Sequence, residues 1–154
     1  APIVTESILQ EVREKIINRT IDGLVREGIE YRGVLYAGIM ITKDGPKALE
    51  FNVRFGDPET EAILPRLDSD LLEVMLVCSE GKLNRVIKSG GLKWKNLACV
   101  CVVCASGGYP GKYEIGKEIS GLDKTRKIRD VIVFHAGTRK VNNKIIEREI
   151  REEK

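Results

Sequence analysis

Between Leu49 and Phe55 the chain alternates strictly. Leu49, Phe51, Val53 and Phe55 are apolar, while Glu50, Asn52 and Arg54 are an anion, an amide and a cation. A period of two is the mark of a β-strand, whose successive side chains point to opposite faces. The segment predicts a strand with one face apolar enough for a core and another carrying three polar groups at two-residue steps. The alternation stops at Gly56-Asp57-Pro58, and Pro58-Glu59-Thr60-Glu61 has the composition of a first helical turn.

The chemistry of the polar row is specific. Glu50 and Asn52 are hard oxygen donors separated by about 6–7 Å between Cα atoms, within reach of one cation. Magnesium commonly takes one or two protein oxygens and leaves its other positions to water and substrate phosphates. Arg54, one step further along, can hold a transferring phosphate and offset its developing charge. The row is therefore half of a metal–nucleotide clamp. An exposed amphipathic strand with no site fits the same pattern.

The rest of the chain sets this strand in a hairpin flanked by helices. Thr5-Glu6-Ser7, just after Pro2, predicts a helix start; apolar Leu9, Val12, Ile16, Ile17, Ile21 and Leu24 keep helical spacing, and Gly28 is the stop. Residues 32–42 predict a strand, Lys43-Asp44-Gly45-Pro46 a tight turn, and 47–55 its antiparallel partner. Helix signals return from Glu59 to about Leu67. Asp68 or Ser69 caps a further helix to about Ser79, ended by Glu80-Gly81-Lys82. After Gly90-Gly91 the character changes. Residues 97–105 and 131–136 predict strands, joined through Gly107-Gly108-Tyr109-Pro110-Gly111 and a polar stretch to Asp130. These glycines allow a tight turn, and no helix start follows them to build a phosphate cradle.

Composition narrows the function classes. With 154 residues, 42% hydrophobic and 32% charged, the chain can form one ordinary domain or two small ones with a soluble surface. The net charge of +3 comes from 26 basic and 23 acidic residues mixed along the chain, so no basic block marks a nucleic-acid partner. No apolar run is long enough for a bilayer and no secretory signal is present, which predicts a cytoplasmic protein without a membrane partner. Cys99, Cys101 and Cys104 fall in an apolar run and predict core cysteines in a buried strand; the only other cysteine, Cys78, does not complete a zinc framework. His135 is the only histidine, and its place within an apolar strand predicts a hydrogen-bonded structural residue.

Gly33-Val34-Leu35-Tyr36-Ala37-Gly38-Ile39-Met40, Asp44-Gly45-Pro46-Lys47 and the run from Leu49 through Phe55-Gly56-Asp57-Pro58-Glu59-Thr60 closely resemble the phosphoribosylamine–glycine ligase family of the ATP-grasp superfamily. The likeness continues through Pro65, Ser69-Asp70-Leu71-Leu72, Ala105-Ser106-Gly107-Gly108-Tyr109-Pro110-Gly111 and Val133-Phe134-His135-Ala136-Gly137-Thr138. The implied fold is α+β: a partial ATP-grasp domain, an antiparallel hairpin with flanking helices, over residues 1–91, then a small, mainly β C-terminal module over 92–154. Both ends are expected to be incomplete. The family's amino-terminal domain and the lysine-bearing first half of its nucleotide domain precede the matched region, and the charged run 147–154 reads as a solvated, altered end.

The resemblance implies joining of 5-phosphoribosylamine to glycine with ATP converted to ADP and phosphate, a step of purine biosynthesis that passes through a glycyl phosphate. Positioning and charge neutralisation carry such a reaction without a protein nucleophile. Glu50 and Asn52 are the implied magnesium or manganese ligands. Arg54 contacts phosphate or acyl phosphate. Asp57, with Pro58, Glu59 and Thr60, borders the glycine and amine end; Arg54 and Asp57 are the implied catalytic residues. Asp57 as a cap of the Glu59 helix, and Glu59 as a charge at its positive end, are the structural alternatives. Related grasp enzymes often place an acidic metal ligand on the preceding strand, but residues 35–40 carry no carboxylate, so water or substrate is expected there. The isolated segment is expected to be inactive. Two other functions stay open: a fragment of another ATP-grasp carboxylate–amine ligase or carboxylase, and a noncatalytic interaction module.

Overall fold

The computed structural model describes residues 3–147, which form an α+β arrangement in two compact units that divide between Cys101 and Val102. In the first unit, α1 (Glu6–Val12) opens on Thr5, whose Oγ1 accepts from the Ile8 amide at 3.3 Å. The helix passes through a π-helical turn (Arg13–Ile17) into α2 (Asn18–Arg26). It ends at Gly28, where φ is +74° and the Gly28 and Ile29 amides bond the Val25 and Leu24 carbonyls. That left-handed step costs glycine little.

The expected hairpin follows. Strands β1 (Tyr36–Thr42) and β2 (Gly45–Asn52) pair antiparallel around a two-residue Lys43-Asp44 loop. Thr42 Oγ1 stabilises the loop by accepting from the Asp44 amide and donating to the Gly45 carbonyl at 2.8 Å. The register slips between Gly38 and Ile39: Ile39 faces Ala48 but Gly38 faces Glu50, so Leu49 is an extra residue. Such a bulge bends the strand and re-aims the side chains beside it. Strand β2 stops at Asn52, shorter than the 47–55 span that the alternation predicts. Val53 and Arg54 lie in a bend, because no neighbouring strand continues the ladder past Tyr36↔Asn52.

Helix α3 (Glu59–Ile63) and a 3-10 turn (Leu64–Arg66) come next, followed by α4 (Leu71–Ser79) and α5 (Asn84–Lys88). The cap of α4 is Asp70, which accepts from the Leu72 and Glu73 amides at 2.8 and 3.2 Å. Asp68 and Ser69, the expected caps, are used elsewhere: the Asp68 amide donates to the Lys93 carbonyl, and Ser69 Oγ accepts from the Lys93 amide.

The apolar face of β2 does not become a core. Phe51 is 43% and Val53 71% exposed, and Leu49 and Phe55 are exposed with them. The only buried hydrophobic side chain among the described residues is Ile16, at 9% exposure. The described residues cover that face only in part, so its alternation states what it is suited to meet rather than what it meets here.

The second unit holds α6 (Leu122–Thr125) and a second hairpin, β3 (Thr138–Val141) with β4 (Lys144–Glu147). Asn142 and Asn143 form its loop at φ +46° and +63°, the left-handed pair that a two-residue hairpin turn needs. Lys117–Ile119 runs along the outer edge of β4, with Ile119 donating to Ile145 at 2.9 Å and Glu147 to Lys117 at 3.1 Å. Glu147 is thus the end of a strand, where Ser106 Oγ donates to its carboxylate, and not the start of a solvated run. The remainder of that run, 148–154, lies outside the described residues.

The predicted strands 97–105 and 131–136 do not form. Both segments are irregular, and Val100 is 82% and Val102 77% exposed. A β-branched run becomes a strand only when a neighbour accepts its amide and carbonyl groups, and none pairs with these. The cysteines are accordingly not core residues. Cys104 is exposed, while Cys78, Cys99 and Cys101 are half-buried free thiols. His135 is exposed and outside any strand, with its Nδ1 3.2 Å from Thr138 Oγ1. The Gly107–Gly111 segment is the expected turn, closed by Tyr109 N–H to Ser106 O and Gly111 N–H to Gly108 O.

Candidate functional site

The polar row of β2 meets β1 on one face, since directly opposed residues of an antiparallel pair project to the same side. Glu50 stands opposite Gly38, and Asn52 opposite Tyr36. Asn52 Nδ2 donates to Glu50 Oε1 at 3.1 Å, so the two predicted ligands touch. Glu50 is exposed, Asn52 half-buried, and no ion pair among the described residues involves either. A half-turn of the Asn52 amide would bring Oδ1 beside Oε1, the donor set of a shared hard cation.

That donor set is small. No group of three or more His, Cys, Asp or Glu side chains among the described residues could hold a metal ion. One carboxylate and one amide oxygen fit magnesium or manganese, which accept water and phosphate at the remaining positions, better than calcium, which wants six to eight oxygens.

Arg54 does not continue the row. It lies in the bend after β2, exposed, and its Nη1 donates to the adjacent Phe55 carbonyl at 2.9 Å. Asp57 is exposed in the following turn. Pro58 occupies the cap position of α3, with no side-chain cap bond from either residue. Thr60 is half-buried and committed locally: its amide and its Oγ1 both donate to the Gly56 carbonyl. Glu59 folds its carboxylate back over buried Gly56, in the space that a Cβ there would occupy.

Two residues of the site escape the sequence pattern. Tyr36 is half-buried, and burial, then the Glu59 carboxylate and Glu50, push its phenol pKa up from the ordinary value. A neutral phenol among carboxylates is a hydrogen-bond donor. Gly38 leaves the seat opposite Glu50 empty. Either would follow from the hairpin register had the bulge at Leu49 been visible in the sequence. Separately, burial pushes the Cys101 thiol pKa up, with Glu61, Cys99 and Asp57 adding to it, which makes it a poor nucleophile.

Residues 1–60 match the Phosphoribosylglycinamide synthetase, ATP-grasp (A) domain family, and residues 99–151 match the Phosphoribosylglycinamide synthetase, C domain family. A phosphoribosylamine–glycine ligase of Caldanaerobacter subterraneus subsp. tengcongensis is 49% identical over 145 residues, 94% of this chain and 33% of that protein. The trifunctional purine biosynthetic protein adenosine-3 of Gallus gallus is also 49% identical, over 95% of this chain and 14% of that protein. Among solved structures, the phosphoribosylamine–glycine ligase of Thermotoga maritima superposes with a TM-score of 0.68 at 30% identity, over 97% of this chain and 35% of that one. The chain thus spans about a third of the length of the single-function ligases it matches. With an ATP-grasp match over its first 60 residues, a C-domain match over 99–151 and close relatives along nearly all of its length, the chain belongs to the phosphoribosylamine–glycine ligase family of ATP-grasp enzymes.

Proposed function

We propose that this chain supplies the metal-holding strand and the C-terminal module of an ATP-dependent ligase that joins glycine to 5-phosphoribosylamine, giving glycinamide ribonucleotide, ADP and phosphate in purine biosynthesis. The observation that carries the proposal is the Glu50–Asn52 contact on the open face of the first hairpin. Residues 1–91 are taken as the later part of the ATP-grasp domain and 92–154 as the β module, acting in the cytoplasm without nucleic acid or membrane.

The chain's own groups have separable tasks. Glu50 and Asn52 would hold a magnesium or manganese ion. When bound, that ion neutralises charge on the nucleotide phosphates during transfer. Arg54 exchanges its Phe55 carbonyl for the transferring phosphate or acyl phosphate, a charge-assisted contact stronger than the one it leaves. Asp57 and Glu59 carry carboxylates at the start of α3, where the ammonium group of glycine has complementary charge and the neutral amine of the second substrate can give up its proton as it attacks. Pro58 and Thr60 shape that turn. The glycine carboxylate takes the γ-phosphoryl group, and the amine then displaces phosphate from the acyl carbon; no protein atom becomes covalently attached.

Because the chain spans about a third of its single-function relatives, activity is assigned to this segment together with the remaining two thirds of the ligase. Coupled ADP-release assays on the joined polypeptide test this. Glu50→Gln is expected to lower turnover on the order of 100-fold while leaving the melting temperature unchanged. Unaltered turnover and metal dependence would remove Glu50 from the site.

A further inference from the structure

Three features meet at one point of the first hairpin. The bulge places Leu49 out of the ladder immediately before Glu50. Glu50 then lies opposite Gly38, and a Cβ at position 38 would come within 3.1 Å of Glu50 Cγ. The Glu50 carboxylate meets the Asn52 amide at 3.1 Å. Gly38 is not among the glycines with positive φ, so its backbone would accept alanine; what alanine changes is space. A contact of that length is tighter than ordinary van der Waals separation. The Glu50 side chain would have to give way by a few tenths of an ångström, which changes how its carboxylate meets Asn52.

We propose that Gly38 is a positioning residue for Glu50: the missing side chain lets Glu50 lie across β1 and bring its carboxylate to Asn52. The inference rests on the cation seat proposed above and adds a residue that touches neither metal nor substrate. The bulge and the glycine act together. The bulge turns Glu50 onto the face of Gly38, and the glycine leaves it room there. Tyr36, on the same face opposite Asn52, bounds the other end of the pair.

The test is a manganese titration of this segment joined to the rest of a ligase and labelled at asparagine, with paramagnetic broadening of the Asn52 side-chain amide read in NMR spectra. Weak binding suffices for this readout. Gly38→Ala is expected to raise the Mn2+ concentration for half-broadening about tenfold. In the Glu50→Ala background, which has no γ atom to crowd, the same Gly38→Ala change is expected to move the Asn52 side-chain amide resonances less than it does with Glu50 present. Cross-strand contacts between Met40 and Lys47 report whether the hairpin itself survives. If Gly38→Ala titrates like the unmodified chain, or moves the Asn52 amide resonances as much in the Glu50→Ala background, the positioning role is overturned while the seat stands. If Glu50→Gln titrates like the unmodified chain, or the unmodified chain shows no selective broadening, the seat falls and the inference with it.

Discussion

Glu50 and Asn52 are the residues on which the proposed function turns, and their meeting is a local matter: two positions apart on one strand, with the amide bonded to the carboxylate at 3.1 Å. This much is legible in the sequence, because a period of two leaves only one way for them to face. Their cross-strand neighbours are not legible. Continuing the register of Thr42↔Gly45 and Met40↔Lys47 without interruption would set Glu50 opposite Ala37; the bulge sets it opposite Gly38. A one-residue slip exchanges faces, so the roles of Tyr36 and Gly38 depend on a feature that alternation does not announce. Tyr36 gives a pH-dependent signature. Its folded pKa is raised above the usual value near 10, so the folded state holds the phenolic proton more tightly than the unfolded chain. Stability linked to that proton is complete below pH 10 and is lost as pH rises through the folded pKa. The difference in absorbance titration between the chain and Tyr36→Phe should place Tyr36 above ordinary tyrosine, and Glu59→Gln should lower it. A midpoint unmoved by Glu59→Gln would show that the carboxylate does not face the phenol.

Among the elements, helix ends and turns show where sequence suffices and where it does not. Thr5 and Gly28 bound the first helix as expected, because capping and left-handed termination are chemical properties of single residues. Asp68, Ser69 and Asp70 all carry capping side chains, and the turn geometry selects Asp70. Asp70→Ala should cost about 1 kcal/mol in urea unfolding, against less than about 0.5 kcal/mol for the exposed Asp68→Ala. Equal effects would contradict the assignment. Strands are harder to read than caps, since pairing is a property of two segments. Residues 97–105 and 131–136 have strand composition and no partner, whereas the short segments 138–141 and 144–147 pair because Asn142-Asn143 closes the turn between them. That Asn-Asn step was the available signal for the second hairpin.

Over the whole molecule, the described residues bury one hydrophobic side chain, Ile16, and leave Phe51, Val53, Val100 and Val102 exposed. Apolar burial is the main favourable contribution to folding, so the chain by itself should be weakly stable. It is expected to bind an apolar dye such as anilinonaphthalene sulfonate in neutral buffer and to unfold over a broad temperature range. Sharp cooperative melting without dye binding would show that these surfaces find cover within the chain. By the same reasoning, the chain alone should release no ADP with ATP, glycine and 5-phosphoribosylamine; release dependent on both substrates would show that this segment is sufficient.

The most direct test of the central claim is crystallographic. The segment joined to the rest of a ligase, crystallised with ATP and Mn2+, should show an anomalous-scattering peak at a coordination distance of about 2.0–2.2 Å from both a Glu50 carboxylate oxygen and Asn52 Oδ1. A fully occupied manganese bound to the nucleotide but held by other residues, with Glu50 and Asn52 outside its coordination shell, would contradict it.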